Sequence, residues 1–140
     1  MGVREKMQTE VSEIYYARDP IFKTGAEPQS QVEFERDFVK VRSLPITDLN
    51  DIYSEMQGEK WSPNGEARPL IQKLGLSHTS MSIGDLVKQK SILYVVASVG
   101  FEVCAMWDSN GQFLAVDFGA DRERAKRYKE LFARQEKESQ

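Results

Sequence analysis

His78, the only histidine in the chain, stands in the run HTSMSIGD beside three hydroxyls, Thr79, Ser80 and Ser82, and an acid, Asp85. A histidine can take a proton from a hydroxyl while a carboxylate orients its ring, so this run contains the parts of a nucleophile and base pair. On that reading His78 is a general base, and Asp85 or Glu66 orients it or acts beside it, in a small hydrolase or nucleotide-processing enzyme. The same residue types also build turns, in which Ser and Thr bond their own backbone. A second polar run, WSPNGEAR, offers an indole, a hydroxyl, an amide, a carboxylate and a guanidinium at an expected helix start, where unpaired N–H groups can face an anion. Trp61, Ser62, Asn64, Arg68, His78, Thr79, Ser80 and Ser82 are therefore the candidate ligand-binding residues. Hydroxyl and amide groups would hold a polar group, Arg68 would supply charge and Trp61 a stacking face. This second reading is a noncatalytic binding or regulatory module with no turnover. The plainer alternative is that Ser62 caps, Pro63 initiates, Asn64-Gly65 turns and Trp61 covers core.

The elements that must position these residues are marked by periodicity and caps. Ser62 as N-cap and Pro63 at the first helical position predict a helix over 63–73, with Ala67, Leu70, Ile71 and Leu74 on one face and Gly75 as its left-handed stop. Pro69 objects, and would move the start of the helix toward Arg68. The ends of a 63–73 helix lie roughly 15 Å apart, so the two polar runs share a site only if the chain folds back after Gly75. Upstream, a strand is predicted at about 37–43. Pro45 ends it, and Thr47 then caps a helix whose apolar positions are Leu49, Ile52, Tyr53 and Met56, stopping near Gly58. Downstream, Gly84-Asp85 turns into a short strand, a Lys-Gln-Lys turn and an apolar strand near 91–98 that Gly100 breaks. FEVCAMWDS and QFLAVDF flank Asn110-Gly111, the preferred pair of a type I′ hairpin. That register sets Trp107 opposite Leu114, Ala105 opposite Val116 and Val103 opposite Phe118 on the core face, with Cys104 on the other face as a small buried hydrophobe. Residues 120–140 form an amphipathic helix with Ala125, Tyr128, Leu131 and Phe132 inward.

The fold class expected is α+β: a small antiparallel sheet with a C-terminal hairpin, packed against two central helices and a C-terminal helix. Residues 1–30 are expected as a flexible arm with at most one short strand, 31–135 as one domain and 136–140 as a polar tail. With 140 residues, 40% of them hydrophobic, the chain can bury a core without metals or disulfides. A net charge of -3 argues against a surface given over to phosphate. Seven cations against five acids give the terminal segment +2, leaving -5 for the rest; this keeps open a third reading, nucleic-acid binding through Lys126, Lys129 and their neighbours. A single cysteine cannot close an intrachain disulfide, a lone histidine argues against the usual zinc sets, and no cofactor is implied. The N-terminus lacks a signal peptide's apolar run, and SILYVVASVGF is too short to span a bilayer, which needs about 20 residues. A cytoplasmic protein with no membrane role is expected.

The segments Met56–Glu59, Trp61–Arg68, His78–Asp85 and Gly100-Phe101 together resemble a family of short uncharacterised proteins of bacteriophages, mobile elements and bacteria. SMSIGD is more loosely similar to YodL-like domains. The resemblance covers about residues 38–104 and brings no activity with it. It implies a phage-related accessory factor acting on a host protein or a small polar ligand, with the N-terminal arm, the hairpin and the terminal helix as additions of this member.

Overall fold

Alternation of side chains along each strand divides the core into two apolar layers, one on each face of a six-stranded antiparallel sheet. The computed structural model describes residues 11–20 and 27–116. Its strands are β1 (Ser12–Ala17), β2 (Phe38–Leu44), β3 (Leu86–Gln89), β4 (Ile92–Val96), β5 (Phe101–Trp107) and β6 (Phe113–Ala115), in the order β2-β1-β3-β4-β5-β6. Four short helices accompany them, α1 (Gln31–Asp37), α2 (Leu49–Glu55), α3 (Gly58–Trp61) and α4 (Arg68–Lys73). The α+β class follows. One layer joins Ile14, Tyr16, Val87, Tyr94 and Met106 of the sheet to Ile52, Met56 and Ile71 of the helical segments. The opposite layer joins Phe34 of α1 to Phe38, Leu86, Leu93, Val95 and Ala105. The C-terminal helix and polar tail expected over 120–140 lie outside the described residues.

Residues 12–17 hold the one short strand that the expected N-terminal arm allowed, placed inside the sheet and not at its margin. They form β1, an interior strand paired with both β2 and β3, in which Ile14 and Tyr16 have no exposed surface. The period-two pattern Ile14, Tyr16 is short and flanked by charge, so only partners distant in sequence make it a strand. Helix α1 was not expected either, because VEFERDF carries β-forming residues. Its start is set by Ser30, whose hydroxyl accepts from Glu33 N at 3.1 Å while the Glu33 carboxylate reaches back to Gln29 N at 2.9 Å, close to a capping box. Strand β2 lies within a residue of its predicted place. Helix α2 is capped by Asp48, which accepts from Asp51 N, and not by Thr47.

The single helix over 63–73 is replaced by α3, a turn and α4. Pro69 explains this: it sits in the first turn of α4, where its missing N–H costs nothing, whereas one turn into a longer helix it would clash. Ser62 is thus the C-cap of α3, and its hydroxyl accepts from the N–H of Ala67, the N-cap residue of α4, at 2.9 Å. The stop at Gly75 is as predicted. Gly75 has φ +74°, and the bonds Leu76 N to Ile71 O and Gly75 N to Gln72 O close a Schellman motif.

The hairpin register is corrected by one residue. Trp107 pairs with Phe113, Met106 with Leu114 and Ala105 with Ala115. Asp108 decides this, since its carboxylate accepts from both Asn110 N and Gln112 N at 2.9 Å. Those bonds favour a three-residue loop with Gly111 at φ +80° closing a bulge over the two-residue type I′ turn. A second irregularity between Leu93 and Tyr94 leaves Cys104 as the extra residue of β5. Cys104 is therefore fully buried, as expected, but in the layer of Ala105, against which Trp107 and Phe113 also pack.

Candidate functional site

The chain does fold back after Gly75. Residues 76–85 lie along α3 and the end of β1, which brings the two polar runs together. The Trp61 indole N–H donates to Thr79 O at 3.1 Å, Gly58 N donates to the Ser80 hydroxyl at 2.8 Å, and Met81 N donates to Met56 O at 3.1 Å. The approach at Gly58 is tight, since a Cβ on it would stand 3.2 Å from the Ser80 hydroxyl and push that side chain aside by a few tenths of an ångström. The Gln57 amide donates to Met81 O at 3.2 Å, and Met81 is itself 1% exposed.

At the end of this segment His78 Nε2 lies 2.8 Å from Asp85 Oδ2. Asp85 is 1% exposed and the His78 side chain 10%. The Asp85 carboxylate also accepts from Ala17 N through Oδ1 and from Ser82 N through Oδ2, both at 2.9 Å. It thus joins three chain segments: the last residue of β1, the 78–82 loop and the start of β3. The Tyr16 ring stacks on the His78 ring, with centroids 4.5 Å apart and 13° between planes, and its hydroxyl donates to Thr79 O at 2.6 Å. Burial, and then the charge of Asp85, push the Tyr16 hydroxyl far above the usual phenolic range, with Arg42 opposing. Arg42 faces the same side, its guanidinium 5.0 Å from the Trp61 ring centroid.

Of the residues predicted from sequence, Trp61, His78, Thr79, Ser80, Ser82 and Asp85 are gathered here. Thr79 contributes its carbonyl. Ser82 donates to Ser80 O at 3.0 Å. The hydroxyls of Ser80 and Ser82 are thus engaged with the backbone, as turn-forming residues are. The Ser62 hydroxyl is occupied by Ala67 N. Asn64 and Glu66 form a separate exposed turn, in which the Glu66 carboxylate accepts from Asn64 N at 2.9 Å and from its side-chain amide at 3.3 Å. The backbone bond from Asn64, above all, holds the Glu66 carboxyl below its usual range. Arg68 is exposed and lays its guanidinium against Gly65. The residues missed in sequence are Tyr16, Arg42, Gln57 and Gly58. Tyr16 stands in the apolar patch Ile14-Tyr15-Tyr16, and Gly58 in a segment adjoining WSPNGEAR, but neither patch nor glycine names its partner.

Among the described residues no three His, Cys, Asp or Glu side chains come together to hold a metal, and no helix is long and apolar enough to cross a membrane. Beside the network an open groove of about 290 Å³ is lined by Asn50 and Tyr53 of α2, Ile83, and Val96, Ala97, Ser98, Gly100 and Phe101 of the β4–β5 turn. The Tyr53 and Phe101 rings meet edge to face at 6.4 Å. No family model, no curated protein and no solved structure matches the chain.

Proposed function

We propose that the protein is a noncatalytic binding module whose polar runs build a rigid support, and whose binding face is the groove between α2 and the β4–β5 turn. The observation that carries this reading is the engagement of the chemistry-bearing side chains with the chain itself. Asp85 accepts from Ala17 N, Ser82 N and His78, while Ser80 and Ser82 bond backbone groups. Groups so employed position the 76–85 segment, which lends Ile83 to the groove. At about 290 Å³ the groove falls at the bottom of the size range of sites for drug-sized ligands, and suits one aromatic or branched side chain of a partner protein. Asn50 and Ser98 would bond the partner's backbone beside it. A phage-related accessory factor acting on a host protein is the setting that the resemblance adds. The test is calorimetric titration of short peptides carrying one central Trp, Phe or Leu. Tyr53→Ala and Phe101→Ala should each weaken the best binder by about tenfold or more, the loss typical of an interface anchor. Binding unchanged in both variants, or no binder in the panel, would sink the reading.

The 2.8 Å contact of His78 with Asp85 supports a second reading, a small hydrolase or nucleotide-processing enzyme in which the oriented imidazole is a general base. It requires turnover of a nucleotide or ester that His78→Gln abolishes while the fold persists. The third reading, nucleic-acid binding through residues 120–140, rests on charge in the sequence alone. It requires a steep salt dependence that Lys126 and Lys129 substitutions reduce.

A further inference from the structure

Two Asn-Gly pairs occupy turns of the described chain, Asn64-Gly65 and Asn110-Gly111, and both asparagines are exposed. Glycine carries no side chain to hinder its own nitrogen, so that nitrogen can reach the neighbouring asparagine's side-chain carbonyl. We propose that Asn110 is a site of spontaneous deamidation in the native protein, and that the fold protects Asn64 from the same reaction. Gly111 N attacks Asn110 Cγ, the Cγ–Nδ2 bond breaks, ammonia leaves with the amide proton, and a succinimide forms. Water then opens the ring. Attack at the side-chain carbonyl gives aspartate, and attack at the main-chain carbonyl gives isoaspartate, with one extra atom in the backbone.

The difference between the two sites lies in what covers the reacting groups. At Asn64 the side-chain amide that must leave is bonded to Glu66, and Gly65 N donates to Ser62 O at 3.1 Å. The Arg68 guanidinium lies 3.2–3.4 Å from the place of a Gly65 Cβ and so covers that residue. Ser62, in turn, is locked to Ala67 N. At Asn110 nothing lies within 4 Å of the same place on Gly111. Gly111 N is held by Asp108 O, and Asn110 N and Gln112 N by the Asp108 carboxylate, all at 2.9 Å, so the reaction runs through a locally opened hairpin. Such opening costs least at the margin of a sheet, and the loop leads into β6, a short strand of half-buried residues that is outermost among the described strands. Once isoaspartate forms, the added atom falls between Asp108 and Gln112, whose mutual bond sets the register of Trp107 against Phe113.

The test is peptide mapping by mass spectrometry of the full chain, aged at mildly alkaline pH in buffer and in urea. In buffer the Asn110 peptide should lose its amide at least about tenfold faster than the Asn64 peptide, as expected for a difference in local opening free energy of ~1.4 kcal/mol. In urea the two rates should converge. Glu66→Ala should accelerate loss at Asn64 in buffer, and Asn110→Gln should remove the fast component. Conversion at Asn64 as fast as at Asn110 in buffer, no conversion at either, or an Asn64 rate indifferent to Glu66→Ala would overturn the proposal.

Discussion

Replacing Asp85 by Asn keeps the shape of the side chain and changes only what it can offer. The native carboxylate presents acceptors alone, and these take Ala17 N, Ser82 N and His78 Nε2 at 2.8–2.9 Å. An amide has one accepting atom. If its oxygen faces Ala17 N, its NH₂ is driven against Ser82 N–H, donor against donor; turned over, it meets Ala17 N–H instead. His78 can adapt by presenting a bare Nε2 to the NH₂, but a backbone N–H cannot. One buried donor is therefore stranded in either orientation, at about 1–3 kcal/mol. The remaining bonds lose the assistance of charge, roughly another 1 kcal/mol. The expected loss is about 2–4 kcal/mol, a large part of the 5–15 kcal/mol typical of a domain. Urea denaturation followed by tryptophan fluorescence measures it, Trp61 reporting on the network and Trp107 on the opposite layer. A loss below about 0.5 kcal/mol, within the range of an ordinary surface substitution, would refute the assignment of Asp85 as the anchor of three segments.

Gly75→Ala should cost about 1–2 kcal/mol, since φ +74° strains any L side chain although nothing lies within 4 Å of the new methyl; a neutral result in urea would exclude the Schellman stop. Cys104, fully buried and with its thiol pushed well up by that burial, should resist a thiol reagent in the folded protein and react at once in denaturant; stoichiometric labelling of the folded chain would contradict its place in the core. Alkaline titration of the tyrosine absorbance should find Tyr15 at about 12, raised first by burial and then by the charge of Glu13, with Tyr16 ionising only as the protein unfolds. Both folded values are raised, so their stabilisation is complete below the unfolded value of about 10 and is lost as pH rises past it through the folded values. Ordinary phenolic ionisation of every tyrosine without unfolding would contradict the buried placing of Tyr16.

Legibility from sequence followed the range of the interactions. Caps and periodicity are local, so β2, the body of α2, the stop at Gly75 and the strands around Asn110-Gly111 could be placed within a residue or two. The outcome at Pro69 was also local, since the clash that splits the 63–73 helix lies within one turn. The hairpin register failed by one residue because a side chain, Asp108, outbid the preference of the Asn-Gly pair. The interior place of β1 was illegible for a different reason. Ile14 and Tyr16 are too few for a pattern, and their partners lie at Val87 and Val39. The candidate site was half legible: residue types picked out His78 and Asp85, but their 2.8 Å contact, and the role of Tyr16, depend on the fold-back after Gly75.

That dependence also explains how a paired acid and histidine can serve structure. Taking a carboxylate out of water is costly unless donors surround it, so such a group fixes conformation more than it stabilises. Here it acts on the strand that needs fixing. β1 lies between β2 and β3 with few side chains to define its position, and a slip of one residue would carry Ile14 and Tyr16 to the opposite face. Polar bonds oppose the slip at both ends. The Ser12 hydroxyl, without exposed surface, donates to Ile46 O at 2.6 Å and accepts from the Gln89 amide at 2.9 Å. Five residues on, Ala17 N is held by Asp85, and Tyr16 reaches Thr79 O across the His78 ring. A slipped strand would strand Ser12 and Asp85 among apolar groups at once, so the polar residues that look most like chemistry also exclude the nearest competing fold.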